Sequence, residues 1–234
     1  VALTDGTFDP TVGPLVRAWG FIGGQPARPA PAVEAAAQAR VGFGKVTLDD
    51  AAQTVRYAVP GMEFDPGGNG KGYAVDRAVA VLRAHRARAA LVSGGGSTLY
   101  GLGAPPGRGG WRVAVRNPDK TGAPLGVVTL ADAALSTSGV SEKSAIIEGR
   151  RVSHLFDPRT LTPSDGMCQV TVVAADATAS DALTKAAFLL SGDAVTRLFA
   201  AQPGTHVLRV EGPCEPDARV WVTPWSRGIF APQR

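Results

Sequence analysis

The sequence predicts an α+β fold: a single mixed α/β domain over residues 1–234, with mostly antiparallel strands and flanking helices. Three observations predict it. Short runs of alternating or β-branched residues are bounded by glycine, proline and acidic turns, and several fall in pairs close enough for hairpins. Stretches with apolar residues at helical spacing lie between them. No repeat and no clean linker divides the chain, and helices interleaved with hairpins are unlike a purely parallel sheet.

Each element has a local reason. In "GTFDPTVGPLVRAWGF", Asp9 offers an N-cap and Pro10 a first helical position before an apolar face. Gly23 to Pro31 is a loop, and "AVEAAAQARVG" is a short alanine-rich helix ended by Gly42. "KVTLDDAAQTVRYAV" reads as two strands around an acidic turn, and "GMEFD" as a strand entering a glycine loop. "GYAVDRAVAVLRAHRA" is the clearest helix, with Tyr73, Val75, Val79 and Leu82 near one another at helical spacing.

Further on, "AALVSG" is a strand, "GGGSTLYGLG" a glycine turn with a strand after it, and "WRVAVRNP" an exposed alternating strand. "GVVTLADAALSTSG" holds a strand and a Ser/Thr turn, and "SAIIEGRRVSHLFDP" a hairpin turning near Glu148–Gly149. "CQVTVVAA" is a buried strand, and "SDALTKAAFLLSG" a helix capped by Ser180. "DAVTRLFAAQPG" is a second helix, and "HVLRV" and "RVWVTP" close the chain as strands.

Composition narrows the function classes. With 44% hydrophobic and 19% charged residues, the 234-residue chain is globular and long enough for a real core. Its net charge of +4 comes from arginines scattered without a like-charge block, so no nucleic-acid tract is indicated, and a modest positive field suits an anionic small molecule. No apolar run approaches the ~20 residues of a membrane span, and no basic start precedes an apolar segment as in a signal peptide. Cys168 and Cys214 could pair or stay free; ordinary buried thiols are expected, and two cysteines leave the redox compartment open.

The stretch "FDPGGNGKGYAVD", Phe64 to Asp76, packs four glycines and a lysine behind Asp65. Backbone N–H groups at such a helix start attract anions. The P-loop pattern does not fit, because Asp65 stands at its first glycine and Gly72 at its Ser/Thr; the dinucleotide fingerprint fits poorly too. A tight strand-to-helix turn that needs glycine geometry would look the same.

Six motifs in order resolve this. "GTFDPTVGPLVRAWGF", "FDPGGNGKGYAVDR", "LVSGGGSTLYGLG", "ALSTSG", "SHLFDPRT" and "SDALTKAAFLL" together resemble the ApbE family of bacterial FAD:protein FMN transferases, from Gly6 to about Gly192. The resemblance implies a mixed α/β domain that binds FAD in a cleft. The implied reaction moves FMN from FAD to a threonine or serine hydroxyl of an acceptor protein and releases AMP, usually with Mg2+. Some relatives instead hydrolyse FAD to FMN and AMP, and a lapsed FAD-binding protein is a third reading. Relatives are often exported and anchored outside the cytoplasmic membrane, so a periplasmic location is expected for a chain that itself inserts in no membrane.

The resemblance also assigns residues. Thr7, Phe8, Asp9, Asp65 and Lys71 match FAD-contacting positions; Asp9 can equally be a helix cap, and Lys71 a solvated lysine at a helix start. A carboxylate in such a site can accept from FAD hydroxyl and amino groups. His154 in "SHLFDPRT" matches the general base, with an ordinary pKa near ~6.5 suited to taking a hydroxyl proton. Asp157 and Arg159 brace the loop or contact phosphate, whereas His85 and His206 match no motif and read as surface or packing residues.

For the metal, the resemblance points to the carbonyl of Gly68, to Asp181, and to a threonine four residues after it. Lys185 stands at that last place, with Thr184 one residue earlier on the same helix face. Two outcomes follow: the Lys185 ammonium replaces the cation and pairs with Asp181, or Thr184 completes a distorted magnesium site. Relatives normally have an N-terminal segment before "GTFDPTVGPL"; here five residues precede Gly6. The resemblance therefore implies a segment removed, shortened or supplied by another chain, and an unpaired sheet edge.

Overall fold

The computed structural model describes residues 2–119, 122–140, 143–215 and 218–230. In chain order its elements are α1 (Gly13–Ala18), α2 (Pro31–Gln38), β1 (Val46–Asp49), β2 (Thr54–Tyr57), α3 (Gly70–Ala84), β3 (Ala90–Gly94), β4 (Thr98–Leu102), β5 (Trp111–Val115), β6 (Gly126–Leu130) and β7 (Ala133–Gly139). Then come β8 (Ser144–Ile147), β9 (Arg150–Ser153), β10 (Phe156–Asp157), β11 (Thr162–Pro163), β12 (Met167–Ala174), α4 (Ala177–Leu189), α5 (Gly192–Ala200), β13 (His206–Glu211) and β14 (Arg219–Val222). Helices and antiparallel strands alternate as the α+β reading expects. No helix among the described residues is long and apolar enough to cross a membrane.

The chain falls into two compact units, Val1–Gly67 with Lys143–Asp165 and Gly68–Glu142 with Gly166–Arg234. In the first, Leu15 of α1 and Ala37 of α2 share a core with Trp19, Phe21 and Val41, which follow the two helices, and with Ile147 and Phe156. The Trp19 and Phe156 rings meet edge-on at 5.8 Å, a favourable aromatic geometry. The β1–β2 and β8–β9 hairpins belong to this unit, the latter turning at Glu148–Gly149 as expected.

The second unit is built on a six-stranded antiparallel sheet in the order β14-β13-β12-β7-β4-β3. Every residue of β12 is buried, the polar Gln169 and Thr171 included, as the buried-strand reading expects. One face of the sheet carries α3 over β3 and β4, through Val75, Val79 and Tyr100. α4 lies over β7, where Ser136 and Ser138 hydrogen-bond to Ser180 and Thr184 of the helix.

Five expectations need correction. "GMEFD" is not a strand: it has no partner strand, the Asp65 N–H bonds the Pro10 carbonyl at 2.7 Å, and a 3-10 turn over Pro66–Gly68 follows. "ALSTSG" is not a turn but most of β7, because its hydroxyls alternate between the two faces, Ser136 and Ser138 toward α4 and Thr137 toward Thr171. α4 begins a turn before Ser180: Asp176 is the N-cap, accepting from the Ala179 N–H. Tyr73 is 60% exposed, and the buried line of α3 runs through Gly72, Val75 and Val79, because the helix turns its glycine to α4. Cys168 and Cys214 form a disulfide between the start of β12 and the chain just after β13, because the antiparallel pairing of these neighbouring strands sets Met167 opposite Glu211 and so brings together two cysteines 46 residues apart.

Candidate active site

The first turn of α3 and the first two turns of α4 are clamped by exchanged caps. A β-carbon on Gly72 would lie 2.2 Å from the Ala177 carbonyl oxygen, so only glycine permits this approach. Asp76, one turn after Gly72, accepts from the Ala177 N–H at 2.8 Å, the Thr178 N–H at 2.8 Å and the Thr178 hydroxyl at 2.5 Å. Reciprocally, Asp181 Oδ2 of α4 accepts from the Gly72 N–H at 3.2 Å. Each helix thus satisfies N-terminal donors of the other.

Asp181 is 2% exposed, and its second oxygen is engaged as well. Lys185 Nζ donates to Asp181 Oδ1 at 2.5 Å and to the Asp181 carbonyl at 2.9 Å. The pairing that the sequence anticipated between these residues is present. The Thr184 hydroxyl, fully buried, turns to the sheet instead: it donates to the Asp181 carbonyl at 2.6 Å and meets Ser138 Oγ at 2.7 Å.

This donor set does not fit magnesium. A hard dication needs several oxygen ligands, yet the one carboxylate is already neutralised by an ammonium and the threonine oxygen is spent on protein partners. Among the described residues, no group of three or more His, Cys, Asp or Glu side chains could hold a metal ion. Gly68 ends the 3-10 turn before α3.

What the α3 start does offer is anion binding. Among the described residues, the N–H groups of Gly70 and Lys71 have no hydrogen-bond acceptor, and no carboxylate lies within 4.0 Å of Lys71 Nζ. The Lys71 stem runs beside Gly95, its Cδ 3.8 Å from where a β-carbon would be. Two free donors, an ammonium and the positive end of a 15-residue helix are the groups with which proteins meet an anion such as phosphate.

The first unit holds the other sequence-predicted residues. Asp9 is the cap rather than a waiting ligand: Oδ1 accepts from the Thr11 N–H at 2.8 Å and its hydroxyl at 2.6 Å, and Oδ2 from the Phe43 N–H at 2.8 Å. Thr7 is buried with its hydroxyl on the Thr4 carbonyl at 2.5 Å, and the Phe8 N–H donates to Thr4 Oγ1 at 3.2 Å. Asp65 Oδ1 closes the turn by accepting from the Gly67 N–H at 2.8 Å, and the residue stays partly exposed.

His154 extends the β8–β9 hairpin by one residue. Its backbone N–H and its Nδ1 both meet the Lys143 carbonyl, at 3.2 and 2.9 Å. A carbonyl can only accept, so Nδ1 carries the proton of the neutral ring and the basic lone pair is on Nε2. Three residues after His154, at the end of β10, Asp157 accepts from Arg159 Nε at 2.9 Å, from its Nη2 at 2.7 Å and from its backbone N–H at 2.9 Å. Burial alone would raise the Asp157 carboxyl, but the Arg159 hydrogen bonds outweigh it and hold the group below the usual carboxylate range. Asp157 braces the loop after His154.

Sequence reasoning missed Asp76, Gly72 and the hydroxyls of Ser136 and Ser138. A signal existed for the first two: they stand four apart on one helix face, next to the lysine already singled out.

The model of the ApbE family matches residues 1–208. The FAD:protein FMN transferase of Rhodobacter capsulatus is 36% identical over 229 residues, 96% of this chain and 42% of the relative. That of Treponema pallidum is 33% identical over 230 residues, 92% of this chain and 62% of the relative. The chain thus spans about half the length of these two curated relatives. Among solved structures, the ApbE protein of Thermotoga maritima superimposes with a TM-score of 0.86 at 30% identity, covering 98% of this chain and 74% of that one. The apo flavinyl transferase ApbE of Pseudomonas stutzeri gives 0.82 at 27% identity, covering 100% and 72%.

Proposed function

This chain belongs to the ApbE family, and from that membership we propose that it is an FAD:protein FMN transferase. It takes FAD as substrate and places FMN on a threonine or serine hydroxyl of an acceptor protein. The observation that supports this most is that relatives of that name align along nearly the whole chain.

In this reading the acceptor oxygen attacks the FMN phosphorus, the bond to the bridging pyrophosphate oxygen breaks, and AMP leaves. His154 Nε2 takes the hydroxyl proton; its Nδ1–H stays on the Lys143 carbonyl, which keeps the ring in the accepting tautomer. Lys71 and the open N–H groups of α3 hold phosphoryl oxygens as negative charge grows. The Lys185 ammonium, anchored by Asp181, does the neutralising that magnesium is expected to do in the family. Phe8 and Asp65 Oδ2 contact the flavin nucleotide, while Thr7 and Asp9 shape the turn that presents them. We further place the protein in an oxidising compartment such as the periplasm, which the Cys168–Cys214 disulfide supports.

Product analysis tests the reading. With FAD and an acceptor, one AMP appears for each FMN bound to protein. Free FMN without protein-bound flavin identifies a pyrophosphatase, and FAD left intact identifies a binding protein.

A further inference from the structure

Between Asp76 and Asp119 the sequence holds seven arginines and no acidic residue. The fold of the second unit gathers four of them at one end. Arg86 and Arg88 occupy the turn from α3 into β3, with Arg86 in the left-handed region at φ 60°. The loop after β4 lies against that turn: a β-carbon on Gly103 would be 2.1 Å from the Arg88 carbonyl oxygen. Arg108 stands in this loop. Arg112 follows Trp111, whose indole N–H donates to the Leu102 carbonyl at 3.1 Å, and faces outward on β5.

All four are exposed, and among the described residues none has a carboxylate within 4.0 Å. The acid at this end, Asp132, is already held by Arg83. Cations at a helix C-terminus are favoured by the dipole. That explains Arg83 and Arg86 but not Arg108 or Arg112, which lie on other elements.

We propose that this basic end docks on an anionic phospholipid surface. Charge complementarity selects an anionic partner, and the shape of the patch selects a surface. The arginines stand on a turn, a loop and a hairpin face, and at a specific protein interface arginine anchors sit in a desolvated centre beside aromatic or aliphatic side chains. Leu91, 40% exposed, is the one large apolar side chain among the exposed hydrophobics of residues 86–112. Headgroup binding needs no such anchors, because each arginine near the surface adds a similar electrostatic increment. Within this unit the patch is at the far end of α3 from Lys71, roughly 22 Å along the helix, so docking leaves the phosphate-binding turn uncovered. The inference is independent of the flavin reading.

Co-sedimentation with vesicles tests it. The chain is expected to bind vesicles of phosphatidylglycerol and phosphatidylcholine at low salt, not vesicles of phosphatidylcholine alone, and to be released near 1 M salt, where the screening length is about 3 Å. Reversing Arg86 and Arg88 to Glu should weaken partitioning at least about tenfold. The Lys pair at those positions should retain it, and Arg227→Glu, exposed after β14 at the opposite edge of the sheet from β3, should leave it unchanged. Arg108→Glu with Arg112→Glu serves if the first pair does not melt like the parent. No binding to the anionic vesicles, equal binding to both kinds, indifference to both reversals, or equally tight binding of duplex DNA would overturn the proposal.

Discussion

Lys185 Nζ lies 2.5 Å from Asp181 Oδ1, and the two side chains are 12% and 3% exposed. The aspartate that family resemblance marks for a metal is therefore the counter-ion of a lysine. Its other oxygen caps α3 through the Gly72 N–H.

Removing the ammonium should be costly. Lys185→Met leaves a buried carboxylate with one N–H partner and should destabilise the protein by about 3 kcal/mol, because an unpaired buried charge keeps its full desolvation penalty. Urea unfolding measures it. Lys185→Thr removes the competing cation and adds a hydroxyl, so its FAD turnover should become dependent on added magnesium, whereas the parent should be unaffected by chelation. A parent that stops on chelation and recovers with magnesium would contradict the assignment.

The exchanged caps predict two stability losses. Gly72→Ala must push α3 away from Ala177 and should cost about 3 kcal/mol. Asp76→Ala strips three hydrogen bonds from the start of α4 and should cost about 2 kcal/mol. Amide exchange should show the loss in Asp76→Ala first at Ala177 and Thr178.

Asp157 sets an acid limb. Its folded-state carboxyl is held below the ordinary value of 3.8, against burial, by Arg159. The stability it contributes is therefore complete above the unfolded-state value and is lost as pH falls through the lower folded-state value. Asp157→Asn should flatten the melting temperature against pH below about pH 4 and leave the neutral range nearly level. An unchanged acid limb would count against the brace.

The disulfide closes a separation of 46 residues. On the chain-entropy model this is worth about 4 kcal/mol, so reduction, or Cys214→Ser, should lower the denaturation midpoint accordingly. Equal midpoints with and without reductant would show that the bond contributes nothing to the folded state.

Local rules made most of the fold legible. The Asp9-Pro10 start, the acidic turn between β1 and β2, the hairpin at Glu148–Gly149 and the buried strand β12 were all evident from residues next to one another. What misled was context. "ALSTSG" has turn composition but forms β7, because its hydroxyls find partners on α4 and β12 that only the folded sheet supplies. Tyr73 fits the apolar stripe of α3 yet faces water, because Gly72 rather than a large side chain is what α4 packs upon. The Lys185–Asp181 pair could be read from i, i+4 spacing. The turning of Thr184 toward Ser138 could not, since a helical wheel does not say where the sheet will lie.

The most direct test is the intact mass of an acceptor protein after incubation with FAD and this chain. The reading predicts an acceptor heavier by one FMN, and an unmodified acceptor when His154→Ala, still folded and still binding FAD, replaces the parent. An acceptor of unchanged mass with the parent, or one flavinylated equally well by His154→Ala, would contradict it.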